Sequence, residues 1–138
     1  MALIDATRAV ALVGVPFRLQ GRGAAGLDCV GLVLAACGLP AESIRDDYRL
    51  RGDHRDHIKS ALRERFRKVS FARRRAGDLI LMAVAADQLH LGVLTARGFV
   101  HADARLRRVV ETPGMPRWPV IATYRRRTRR VVKYMAMK

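Results

Sequence analysis

The chain has 138 residues, half of them apolar, and a mean hydropathy of -0.03. That suits one globular domain with a real core and excludes wholesale disorder. Lys and Arg number 27 against 12 Asp and Glu, so the formal net charge of +15 calls for an acidic partner: nucleic acid, an anionic envelope or an acidic protein surface.

The first segment, Asp5 to Val13, has helical apolar spacing with Asp5 as a candidate cap. The first residues, Met1 to Val15, lack a basic start, already carry Asp5 and Arg8 and do not read as a cleaved signal peptide, so synthesis in the cytoplasm is expected. Gly14 and Pro16 end the segment. A Gly-rich loop follows, from Gly21 to Gly26. It lacks the Lys-Ser/Thr ending and the preceding strand of a phosphate cradle, and no cofactor is expected. Asp28 to Pro40 then reads as a short helix, apolar nearly all round and therefore central, with Asp28 as N-cap and Gly38 and Pro40 as the stop. Asp53 to Val69 is basic, with Ile58, Leu62 and Phe66 at four-residue spacing, and predicts an exposed amphipathic helix.

After Gly77 the pattern changes to strands. Asp78 to Ala85 is a continuous apolar run. His90 to Leu94 and Phe99 to Ala102 flank Thr95-Ala96-Arg97-Gly98, a hairpin signal, and Leu106 to Glu111 and Val120 to Tyr124 add two more. Helices first and strands after is an α+β order. Residues 1–124 are expected to form the domain, and 125–138, with five Arg in its first six positions, a basic strand or arm. No repeat, linker or run of 18 apolar residues occurs, so no membrane-spanning helix is predicted.

Chemistry centres on Cys29, in the first turn of the central helix. Unpaired N–H groups and the helix dipole there favour a thiolate. Cys37, deeper in the same helix, reads as a core residue. Eight positions separate the two cysteines, about 12 Å along a helix, too far to bridge. A nucleophilic thiol needs a base, and the base needs an orienting group. A two- or four-residue turn puts His90 and His101 on one strand face, as opposite or diagonal neighbours, where two imidazoles can serve as base and orienter. The same three residues as zinc ligands are a weaker alternative, since no closely spaced ligand pair accompanies them. No metal is expected. His54 and His57 read as solvated, and Asp78 as a turn residue. Glycine at Gly26 and Gly31 suggests close backbone approach, leaving room for an extended peptide beside the thiol.

The stretches Gly14-Val15-Pro16-Phe17-Arg18-Leu19-Gln20-Gly21 and Gly26-Leu27-Asp28-Cys29-Val30-Gly31-Leu32-Val33 resemble the nucleophile motif of the NlpC-like cell-wall peptidases. Ala76-Gly77-Asp78-Leu79-Ile80-Leu81, His90-Leu91-Gly92-Val93-Leu94 and Gly98-Phe99-Val100-His101-Ala102 resemble that family's strand segments, in the same order. The resemblance spans roughly Asp5 to Arg125. It is nearest the short versions encoded with phage tails and gene transfer agents, of which Asp47-Tyr48-Arg49 is also reminiscent.

The resemblance implies a papain-like α+β fold, with the Cys helix packed on an antiparallel sheet. It implies a cysteine endopeptidase cutting peptidoglycan stems, commonly between γ-D-glutamate and diaminopimelate. Cys29 is the implied nucleophile, His90 the base and His101 the third, orienting residue. Phe17, Gly26 and Asp28 are expected along the substrate. The family usually has Tyr where Phe17 stands and often Ser where Val30 stands, so two hydroxyl groups are missing. Implied partners are peptidoglycan and tail or baseplate proteins of a phage-like particle, with non-specific contact to anionic polymers or DNA. Two other classes compete. One is a papain-like tail component that binds peptide without cutting it. The other is a basic nucleic-acid-binding module, against which stand the low aromatic content of 6% and the lack of a recognisable binding motif.

Overall fold

The opening helical pattern becomes α1 (Ala2–Ala11) in the computed structural model, which describes residues 2–23, 25–40, 55–85 and 88–127. Asp5 does not cap it. Asp5 is buried in the first turn, and its carboxylate pairs with Arg126 at 3.2 Å. That partner lies 121 residues away, out of reach of any local pattern. Gly14 then turns the chain at φ +97°, and residues 14–17 run along a strand near the C-terminus: Gly14 N–H donates to the Val109 carbonyl and Phe17 N–H to that of Arg107, both at 2.9 Å. A two-residue ribbon, β1 (Arg22–Gly23) with β2 (Gly26–Leu27), leads into α2 (Cys29–Ala36).

Both ends of α2 are closed as expected from its sequence. Asp28 has extended backbone angles, and its side chain accepts from Gly31 N–H at 2.8 Å. At the other end Gly38 takes φ +65°, Leu39 N–H reaches the Leu34 carbonyl and Gly38 N–H that of Ala35, a Schellman stop. Seven of the eight residues of α2 are buried, so the helix is a core element.

Helix α3 (Arg55–Arg65) starts the amphipathic segment, but the segment ends as a strand, β3 (Phe66–Val69). Ile58, Leu62 and Phe66 are all buried, as their spacing implies. The four-residue step to Phe66 continues the helical rhythm by coincidence, and pairing with a distant strand overrides it. A 3-10 turn (Phe71–Arg73) precedes β4 (Leu79–Ala85), β5 (Gln88–Leu94), β6 (Gly98–Asp103), β7 (Arg108–Pro113) and β8 (Val120–Arg126). The sheet order is β3-β8-β4-β5-β6-β7, with every pairing antiparallel.

Period-two alternation divides this sheet between two cores. Leu79, Leu81, Leu91, Val93, Val100 and Tyr124 face α2 together with Ile58 and Leu62. Ile80, Met82, Leu94 and Phe99 face the other way, against Phe71, Trp118 and Val120. Burying each such large side chain stabilises the fold by about 2 kcal/mol. Three helices and an antiparallel sheet make the expected α+β arrangement among the described residues.

The first residues of the C-terminal basic run are built into the sheet. β8 continues through Arg126 and lies between β3 and β4. Arg125 grips the fully buried Asp78 with two bonds, 3.0 and 2.8 Å, and Arg126 is the partner of Asp5. Asp78 also accepts from Arg75 N–H at 2.8 Å, so it closes a turn and anchors β8 at once. Residues 128–138, Asp47-Tyr48-Arg49, His54 and the side chain of His57 lie outside the described residues. No described helix is long and apolar enough to cross a membrane.

Candidate active site

Strands β5 and β6 pair only at Val93–Val100 and Leu94–Phe99, next to the turn. Beyond those two rungs they part. Leu94 N–H points to the β4 side, donating to the Asp78 carbonyl, so by alternation Leu91 N–H points toward β6. The Cys29 thiol takes it. The Leu91 and Val30 backbone N–H groups lie close enough to the sulfur, at the head of α2, to favour its charged form. Cys29 thus sits against the residue next to His90.

The two imidazoles meet on the sheet face that their parity requires. His101 belongs opposite Gly92 in the β5–β6 register, which makes His90 its diagonal neighbour. His90 Nε2 and His101 Nδ1 are 2.9 Å apart, with the rings at 85°. His101 is buried at 2% exposure, and its Nε2 lies 3.1 Å from Thr112 Oγ1. Phe99 stacks on the His101 ring at 4.8 Å, and Trp118 stands edge-on to both imidazoles at 5.9 and 5.8 Å. The Arg117 guanidinium covers the outer side of the Trp118 ring at 5.0 Å.

Burial rather than the helix dipole sets the protonation states. It pushes the Cys29 thiol up to about 12, and the Asp28 carboxylate beside it pushes the same way. The Leu91 and Val30 backbone bonds and the Arg22 charge oppose this without reversing it. The residue that caps the helix thus adds to the burial that disfavours the expected thiolate. His90 is pushed down to about 4 by burial and then by His101, against the pull of Asp103. His101 is also lowered, by burial first, with Asp103 opposing and Arg117 assisting. At neutral pH burial keeps the Cys29 thiol and the two imidazoles in their neutral forms, the imidazoles on the Leu94 and Phe99 side of the strands and the thiol on the α2 side. Among the described residues no group of three donors is arranged to hold a metal ion, the Cys29, His90 and His101 set included.

The other expected residues take internal roles. The Asp28 carboxylate caps α2, accepts from Gln20 N–H at 3.1 Å and pairs with Arg22 at 2.9 Å. Gly26 has no room for a Cβ because the Arg18 side chain crosses it, and at Gly31 a Cβ would run into the Gly21 carbonyl oxygen. The close approach that these glycines permit is by the chain's own loop, not by a peptide ligand. Phe17 is half-buried, bridged to Leu27 just before α2. Cys37 is wholly buried at the other end of α2, beside Asp5. Thr112 and Trp118 went unnoticed in the sequence. Thr112 continues the alternation Val110, Thr112 one residue past the expected strand end, a signal that was present but short. Trp118 comes from an irregular segment with no periodicity to read.

The fold is that of NlpC/p60 domains. The NlpC/p60 domain of the peptidoglycan hydrolase SagA superimposes with a TM-score of 0.60 at 17% identity, over 82% of this chain and 89% of that one. NlpC1 from Trichomonas vaginalis gives a TM-score of 0.65 at 20% identity, over 91% of this chain and 43% of its own. NlpC2 from the same organism gives 0.65 at 17%, over 88% and 46%. The chain thus spans less than half of either Trichomonas protein. No protein-family model matches the chain, and no curated protein does. What the likeness establishes is a papain-like NlpC/p60 architecture.

Proposed function

We propose that this chain is a cysteine endopeptidase that hydrolyses the peptide stems of peptidoglycan. One observation carries the reading: the Cys29 thiol rests on Leu91, next to a hydrogen-bonded His90–His101 pair, in an NlpC/p60 fold. SagA, which shares the fold, is a peptidoglycan hydrolase.

In this reading His90 takes the thiol proton as Sγ attacks the scissile carbonyl carbon. The transfer accompanies attack, because burial keeps thiol and imidazole neutral beforehand. The Cys29 backbone N–H, at the helix start, is a donor for the developing oxyanion. Collapse expels the amine, which takes the proton from His90 and leaves a thioester. Water, deprotonated by His90, then releases the acid and restores the thiol. His101 holds His90 in place throughout. The bond expected to break joins γ-D-glutamate to diaminopimelate, and the site of action is the cell wall, reached within a phage-tail or gene-transfer particle. The surplus of cations suits anionic wall polymers and the DNA that passes through such a particle. These finer assignments rest on the motif resemblance.

A second reading is favoured by one feature. Cys29 is only 3% exposed, which suits a papain-like tail component that binds peptide without cutting it. Mass spectrometry of muropeptides separates the two. Digestion of sacculi by the wild type, with new diaminopimelate amino termini absent in Cys29→Ala, supports the peptidase. Equal release by Cys29→Ala, or none by either protein, overturns it.

A further inference from the structure

The hydrogen-bonded line does not stop at the second histidine. His101 Nε2 is 3.1 Å from Thr112 Oγ1, and His101 Nδ1 is 2.9 Å from His90 Nε2. The β6–β7 register makes this contact a built one. Val110 is the direct partner of His101 and Phe99 that of Thr112, so Thr112 stands diagonal to His101 on the same face. A β-branched side chain has few rotamers on a strand, which fixes the hydroxyl. Phe99 and Trp118 confine the His101 ring that this hydroxyl meets.

We propose that Thr112 is a positioning residue: by accepting a hydrogen bond from His101 Nε2–H it sets the polarity of both imidazoles, leaving His90 Nδ1 free as the base. This rests on the peptidase reading. Each neutral imidazole carries one N–H. With Thr112 as acceptor, His101 holds its hydrogen on Nε2 and offers Nδ1 as an acceptor. His90 then donates from Nε2, and its Nδ1 keeps a lone pair for the thiol proton. The opposite polarity puts a hydrogen on His90 Nδ1 and blocks it. Valine at position 112 has nearly the same shape but no oxygen. His101 Nε2–H would then be buried without a partner, a costly state that a shift of the hydrogen to Nδ1 relieves. That shift reverses the line and deactivates His90 without touching the binding surface.

The test is histidine-labelled long-range 1H–15N spectroscopy on the wild type, Thr112→Val and Thr112→Ser, with kinetics on sacculi. Expected are Nε2–H tautomers for both histidines in the wild type and in Thr112→Ser. In Thr112→Val an Nδ1–H form of His101 should appear, with kcat down about tenfold and KM within about twofold. An Nδ1–H His101 in the wild type overturns the proposal, as does a Thr112→Val spectrum identical to it. The spectra read out without turnover. A wild type that shows Nε2–H tautomers but cuts no sacculi therefore overturns the peptidase reading, and with it the role of His90 Nδ1 as base.

Discussion

The two ends of α2 carry the same functional group in different surroundings. Cys29 and Cys37 are both buried, and burial pushes each thiol up to about 12. Each has a carboxylate beside it, Asp28 at one end and Asp5 at the other. Neither acidity nor exposure separates them. Their surroundings do. Cys29 meets the backbone of β5 one residue from an imidazole pair, whereas Cys37 meets an ion pair between α1 and β8. In the peptidase reading, it is the nearby imidazole pair that would make Cys29, and not Cys37, the nucleophile.

The largest effects should break that contrast. Cys29→Ala should lower stem-peptide cleavage by at least about a thousandfold, and Cys37→Ala should leave it within about twofold, as read by muropeptide release. Comparable losses in both variants would mean that the histidine pair confers nothing on its end of the helix. Arg126→Ala attacks the other end. It strands the Asp5 carboxylate in the core and should cost about 3 kcal/mol in denaturant unfolding, while Cys29→Ala costs far less.

Acid should reach the Cys29 end through its bases. His90 is held near 4 in the fold and titrates near 6.5 when unfolded. The unfolded chain therefore binds the proton first, and stability falls as pH drops from about 6.5 to about 4, by roughly 3 kcal/mol in full. The same titration in His90→Ala should lack most of this fall. Asp28→Asn gives the smallest and sharpest comparison. Asparagine retains a cap for α2 but removes the charge next to the thiol, at the loss of the Arg22 pair. The pH midpoint of Cys29 alkylation should move down, and that of Cys37 should stay.

The strands and the histidine pair were legible because period-two alternation is local and parity fixes which side chains share a face. The central helix was legible from Asp28, Gly38 and its apolar surface. β3 was not, since Phe66 falls on the helical beat of Ile58 and Leu62. The burial of Asp5 depended on Arg126, at the far end of the chain. The acidity of Cys29 could not be read either. The helix start that argues for a thiolate is supplied by an aspartate that argues against one, and only burial decides between them. The glycines at positions 26 and 31 announced close contact, but its partner is the chain's own Arg18 and Gly21 rather than the expected extended peptide.

The short rung count between β5 and β6 also limits how this molecule can change over generations. A one-residue slip in the β5–β6 register would roll His101 to the opposite side of the ribbon, away from His90. Length variation in the Thr95–Gly98 loop is tolerable only where the added residues bulge outward and leave both rungs in register, a constraint that its solvent-facing composition does not betray.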